Sequence, residues 1–377
     1  MPDADALAPA AESAAPDTGP RPPRRWWHPR RLLRGRLRPV VAAAVAGVLA
    51  GAGVTAWQSG TGPFSAAGNQ CWDGFGEPEL KALFGGSEDV TAAELPIWQD
   101  KRGFDGPTGT CRLTTAGSDL VARLYTLDTT YAGTGRWAEE FLGPRLTPLG
   151  GGLLGMASDT RAWLALPEGC LGAPDEFEGP TVVDVVQGRH DPGDDVDTGR
   201  RAAMARAVVR MVNHVLADQG CGGTVPDPVR GLPAPPSHID EEPGALCGVK
   251  GLRLPGKREY DEYRPMVTRG EGPVRTCDRG LSSRPGLRLM TVSDPRLAEI
   301  FDNLARDGGT KLRNPRGYGA LRPDLGIFQA ECQTGKVTFL VKADDADRAD
   351  DVAALLPPFV AAEATRVGCG PIRVTLP

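Results

Sequence analysis

The chain has 377 residues, of which 40% are hydrophobic and 24% charged. That is apolar enough to fold and long enough for two domains at roughly 100–200 residues each. The formal charge of -5 argues against a general nucleic-acid binder. The charge is also uneven, because residues 1–58 hold eight Arg and four acids, leaving the rest of the chain at -9.

Residues 1–38 contain seven prolines and show no apolar period; they read as a disordered, basic cytoplasmic segment. Its Arg cluster runs from Arg21 to Arg38. Nineteen uncharged residues, Pro39 to Trp57, follow. As a helix they span about 28 Å, close to the hydrocarbon thickness of a bilayer. The spacing predicts a single transmembrane helix over 39–57, in contact with membrane lipid. The preceding Arg residues hold the N-terminus in the cytoplasm. The competing reading is a cleaved signal peptide ending near Val54-Thr55-Ala56. Either way residues 59–377 are exported. Gly47 and Gly51 form a G-x-x-x-G, which an Ala/Gly-rich segment produces by chance.

All eight cysteines lie beyond this segment: Cys71, Cys111, Cys170, Cys221, Cys247, Cys277, Cys332 and Cys369. An even number in an exported chain reads as four disulfides. There is no C-x-x-C, so neither a zinc ribbon nor a thioredoxin-like pair is supported.

The order of features around the cysteines repeats. Cys111 precedes an alternating strand at 120–125; a helical stretch carries Trp137 and Phe141, and strands follow at 161–166 and 181–186. A helix from about 200 to 218 then ends at Gly220-Cys221-Gly222. In the second half Cys277 precedes a strand at 287–291, where Leu287, Leu289 and Thr291 alternate with polar partners. A helix capped by Asp294-Pro295 presents Leu297, Ile300, Phe301 and Leu304 on one face. Strands at 326–330 and 337–341 lead to a helical segment ending at Gly368-Cys369-Gly370. Pro357-Pro358 is expected to break or kink that segment.

These are two diverged copies, 68–223 and 245–377, separated by a semi-rigid Pro-rich linker at 224–244. Equivalent copies allow three matching pairing patterns. First-with-second and third-with-fourth is favoured, because each third cysteine precedes a strand and each fourth ends the helix that returns across the sheet. This gives Cys71–Cys111, Cys170–Cys221, Cys247–Cys277 and Cys332–Cys369. The fold class is α+β: after the transmembrane helix, each copy is an antiparallel or mixed sheet with helices on one side and one solvated face.

Three features carry a resemblance: Cys71 before Glu77-Pro78-Glu79-Leu80-Lys81-Ala82-Leu83-Phe84-Gly85, a second cysteine at the head of a strand, and a late helix ending in Gly-Cys-Gly at Cys221 and Cys369. Arg201-Ala202-Ala203-Met204-Ala205-Arg206 is the most specific stretch. The chain resembles exported, single-pass actinobacterial proteins of unknown function with tandem four-cysteine extracytoplasmic domains. More distantly it resembles sensor domains of receptor kinases, without a kinase domain. The resemblance implies an envelope location and tandem domains, not an activity.

No metalloprotease, nucleophile-elbow or Walker motif is present. Of His28, His190, His214 and His238 none is singled out, and His214 reads as a half-buried helical residue. The acidic loop 190–197 and the cluster from Asp344 to Asp351 each precede a late helix, where the helix N-terminus favours negative charge; the first loop is also the one candidate for an ion. Gly150-Gly151-Gly152 reads as a surface loop. Trp72, Trp98, Trp137 and Trp163 read as core residues. The mixed-charge run 257–264 is the best candidate surface for a partner.

These features predict a membrane-anchored, extracytoplasmic, non-enzymatic protein with no cofactor, no metal and no nucleic acid. Its domains bind an envelope protein or small ligand. The alternative is an exported hydrolase or metal-binding enzyme using carboxylates.

Overall fold

Period-two alternation sets which side chains each strand buries, and two sheets result. The computed structural model describes residues 69–377 apart from 86–88, 99–105, 131–132, 134–135, 172–177, 189–194, 229–230, 255, 257–262, 282–283, 345–347 and 377. The segments 1–38 and 39–57, including the expected transmembrane helix and the G-x-x-x-G, lie outside the described residues. Among the described residues no helix is long and apolar enough to cross a membrane.

The first sheet contains β1 (Thr91–Trp98), β2 (Thr108–Thr114), β3 (Asp119–Asp128), β4 (Thr147–Pro148), β5 (Gly155–Ala157), β6 (Arg161–Ala165) and β7 (Glu178–Gln187). All its pairings are antiparallel, in the order β1-β2-β3-β7-β6-β5-β4. The second contains β8 (Met266–Val267), β9 (Val274–Leu281), β10 (Arg284–Val292), β11 (Thr310–Asn314), β12 (Gly317–Leu321), β13 (Leu325–Cys332) and β14 (Gly335–Ala343). Read from β8, its order is β8-β9-β10-β14-β13-β12-β11, the same path through seven strands. The helices are α1 (Glu77–Phe84), α2 (Arg136–Phe141), α3 (Thr198–Asp218), α4 (Pro295–Glu299), α5 (Asp302–Arg306) and α6 (Ala349–Arg366).

The long helices cover the outer faces. On α3, Met204, Val208, Met211, Val212 and Val215 recur at helical spacing and pack with Leu113, Ala122 and Val185. On α6, Val352, Leu356 and Val360 pack with Leu287, Leu289 and Val341. The other face of each sheet is also buried. Trp163, Val182 and Leu127 of the first sheet share one cluster with Met290, Val292, Ile327 and Leu340 of the second. Phe141 of α2, Leu297 of α4 and Leu304 of α5 belong to the same cluster.

Two expectations are corrected here. Each sheet carries helices on both sides, and neither inner face is solvated, because each copy covers the other. The alternation in β10 misled because the polar residue on its inner face, Arg288, is buried with a partner: its Nε donates to Asp278 Oδ1 at 2.7 Å. Residues Gly68–Pro377 accordingly form one compact unit.

Other differences are local. Cys111 and Cys277 precede β3 and β10 as expected, but themselves also lie within strands, β2 and β9. The helix begun at Asp294-Pro295 is two short helices, α4 and α5. α6 runs through Pro357 and Pro358. Each proline leaves the carbonyl four residues earlier without its donor; those of Ala353 and Ala354 fall on the less buried side of the helix, within reach of water.

The Pro-rich segment 224–244 is strapped to the surface. Val225 N donates to Asn213 Oδ1 at 2.8 Å, Pro233 O accepts from Arg201 Nη1 at 2.8 Å, and Ile239 N donates to Pro265 O at 2.9 Å.

A candidate ligand groove on the first sheet

The cysteines pair as Cys71–Cys111, Cys170–Cys221, Cys247–Cys277 and Cys332–Cys369, with Cα separations of 5.4, 5.5, 6.0 and 4.9 Å. Six of the eight are buried and two, Cys221 and Cys332, are half-buried, so the bridges act as structural staples. Every bridge lies within one copy. The first cysteine of each copy holds an uncommon left-handed backbone, φ 53° at Cys71 and 57° at Cys247. Carboxylates brace both turns: Trp72 N donates to Glu94 Oε2 at 3.0 Å and Cys247 N to Glu241 Oε1 at 2.6 Å.

Two buried carboxylates are likewise structural. Glu79 of α1 accepts from Arg206 Nε at 2.9 Å and Arg210 Nη1 at 2.7 Å, tying α1 to α3. Glu363 of α6 accepts from Arg275, Arg366 and Thr291. Burial opposes its charge, but the Arg366 bonds and the Arg275 charge outweigh that and hold its carboxyl below the usual range.

The residues read as binding candidates scatter. His28 and His190 lie outside the described residues, His214 is exposed rather than half-buried, and His238 Nδ1 lies 2.7 Å from Arg264 O. Of the acidic loop 190–197, residues 190–194 lie outside the described residues. Asp197 caps α3, accepting from Gly199 N at 2.8 Å and Arg200 N at 3.0 Å, which is the helix-start role. Asp350 and Asp351 occupy the first turn of α6. Gly150, Gly151 and Gly152 turn the chain between β4 and β5 with positive φ. Most of the run 257–264 lies outside the described residues; Arg264 is paired with Asp240. Among the described residues no group of three or more His, Cys, Asp or Glu is placed to hold a metal ion.

The tryptophans divide. Trp72 and Trp163 are buried, and Trp137 is half-buried against Phe141 and Trp163. Trp98 departs from the expected core role, with 55% of its surface exposed. It ends the edge strand β1, where Pro96 costs no ladder bond. The register slips between Leu95 and Trp98, so that Trp98 opposes Thr108. A second irregularity lies between Thr126 and Asp128 on β3, bringing Asp128 opposite Glu178 of β7. Bulges re-aim side chains and recur beside functional sites; here two converge on one groove.

That groove has a volume of about 560 Å³, and its lining includes Trp98, Thr108, Tyr125, Thr126, Asp128 and Glu178. Gly106 closes one side, where an added Cβ would stand 2.9 Å from Thr126 Oγ1. Thr126 and Thr181 hydroxyls are 2.9 Å apart, and Asp128 Oδ1 accepts from Thr130 N at 2.6 Å.

Tyr125 is fixed from below by a hydrogen bond from its hydroxyl to Asp184 Oδ2. Asp184 is fully buried, and among the described residues its Oδ1 has no hydrogen-bond partner. Burial pushes its carboxyl up to about 6, against the opposing effects of the Tyr125 bond and the Arg123 charge. Burial and the neighbouring Asp184 push the Tyr125 hydroxyl up as well. Sequence reading missed this groove, apart from placing Trp98 in the core. The available signal was Pro96 inside a short strand that ends in Trp.

No protein-family model, curated protein or solved structure matches the chain. The functional reading therefore rests on its own residues. Four disulfides mark a chain of the oxidising, extracytoplasmic type.

Proposed function

We propose that this chain is a membrane-anchored, non-enzymatic envelope protein, akin to the exported proteins it resembles in sequence. Its two sheets face outward as one body and bind a ligand or partner at the groove beneath Trp98. The observation that carries the reading is the bridge set, four disulfides confined within copies. The uncharged run from Pro39 to Trp57, preceded by Arg, supports the anchor.

Membrane fractionation and protease protection test it. The full-length protein should remain with membranes after carbonate washing, and residues 69–377 should be degraded by protease added outside the cell membrane. Recovery in the cytosol with free thiols contradicts it.

One observation favours the second reading, an exported hydrolase: two carboxylates, Asp128 and Glu178, are register partners in the groove. Turnover of a hydrolysable substrate that disappears in Asp128→Asn and Glu178→Gln variants would favour it over binding alone.

A further inference from the structure

We propose that the groove beneath Trp98 takes a neutral, hydroxyl-rich oligosaccharide, a proposal that rests on the ligand-binding reading above and names its ligand.

The volume of about 560 Å³ falls within the roughly 300–1,000 Å³ of ligand pockets, and the chemistry of the walls selects among ligands. Among the described residues the lining contains no Lys, Arg or His, while Asp128 and Glu178 face each other across β3 and β7. A phosphate, sulfate or acidic sugar would be repelled by that carboxylate pair. A lipid chain is also a poor match, since Thr108, Thr126, Thr130 and two carboxylates interrupt any apolar wall.

A neutral saccharide satisfies both kinds of surface. Its C–H face packs on an exposed indole, which combines a large apolar area with little conformational freedom. Its hydroxyls donate to carboxylates and both donate to and accept from threonine hydroxyls. An ammonium group can only donate, and so uses less of the lining. The exposure of Trp98 fits this use, because the interior that takes up Trp72 and Trp163 leaves 55% of Trp98 in water. The Tyr125–Asp184 bond holds the ring of Tyr125 in place before a ligand arrives.

Full-length protein in detergent, with its bridges intact, should be titrated with chitotetraose, mannotetraose and maltotetraose by calorimetry and tryptophan fluorescence, and with tetralysine for comparison. At least one neutral tetrasaccharide should bind. Trp98→Ala should weaken that binding at least about tenfold, the scale of losing one aromatic anchor, whereas Trp98→Phe should retain most of it. Trp98 is exposed, so both variants should keep the native circular dichroism. Binding of all three sugars unchanged in Trp98→Ala, or no sugar binding with tetralysine bound in a Trp98-dependent way, overturns the saccharide assignment; the second outcome leaves the ligand groove standing. No binding of any probe removes both.

Discussion

Arg288 on β10 grips its register partner Asp278 on β9 through a fork, Nε to Oδ1 and Nη2 to Oδ2, both at 2.7 Å. Its remaining nitrogen points at Glu139 O of α2, in the other copy, at 3.5 Å. The side chains are only 10% and 16% exposed, so the pair sits in the layer where the copies meet. Thr276 Oγ1 crosses the same layer to Leu142 O at 2.5 Å.

A buried charge stripped of its partner costs far more than the intact pair contributes. Arg288→Met should therefore destabilise the protein by about 3–5 kcal/mol. The double variant with Asp278→Leu should recover much of that loss. Urea unfolding of both variants checks this, and equal losses would show that the pair is not coupled.

Asp184 predicts a pH dependence of the opposite sign to that of a salt-bridged acid. Its folded value of about 6 lies above the ordinary 3.8, so the native state binds more protons than the unfolded chain between those values. Stability from this group is present below about 4 and falls as pH rises through about 6, by at most about 3 kcal/mol. Asp184→Asn keeps an acceptor for Tyr125 and carries no charge. It should raise stability at pH 7 and flatten the profile between pH 4 and 6, as read by thermal melts across that range.

The Cys170–Cys221 bridge closes the longest loop, with a sequence separation of 51. The chain-entropy model gives it about 4 kcal/mol. Replacing both cysteines by Ser should lower the urea midpoint, because the bridge ties the α3 terminus to the segment after β6. Unfolding with the other three bridges verified intact measures this.

Residues 68–223 expressed alone should expose Val182, Leu127 and Met156, which cluster with side chains of the second copy in the whole chain. An apolar face of that kind drives association. The fragment should bind a hydrophobic dye and elute as aggregate, whereas 68–377 should stay monodisperse.

The sequence was most informative where its signals were local and periodic. The late helix with Met204, Val208 and Val215, the strands bearing Leu287 and Val337, and the cysteine order all stand in the structure where spacing placed them. The non-local features were hidden. Nothing in β10 distinguishes a solvated Arg288 from one buried against Asp278, because the partner lies on another strand and the cover lies in another copy. β1 was invisible because Thr91–Trp98 is almost wholly exposed and lacks an apolar alternation. The groove depends on two register slips, which arise from pairing between strands rather than from either strand's own pattern.

The most direct measurement is non-reducing peptide mapping of the full-length protein taken from its native membrane with free thiols blocked at lysis. Four linked peptides should appear, joining Cys71 to Cys111, Cys170 to Cys221, Cys247 to Cys277 and Cys332 to Cys369. Blocked, reduced cysteines, or a bond joining one copy to the other, would contradict an extracytoplasmic protein stapled copy by copy.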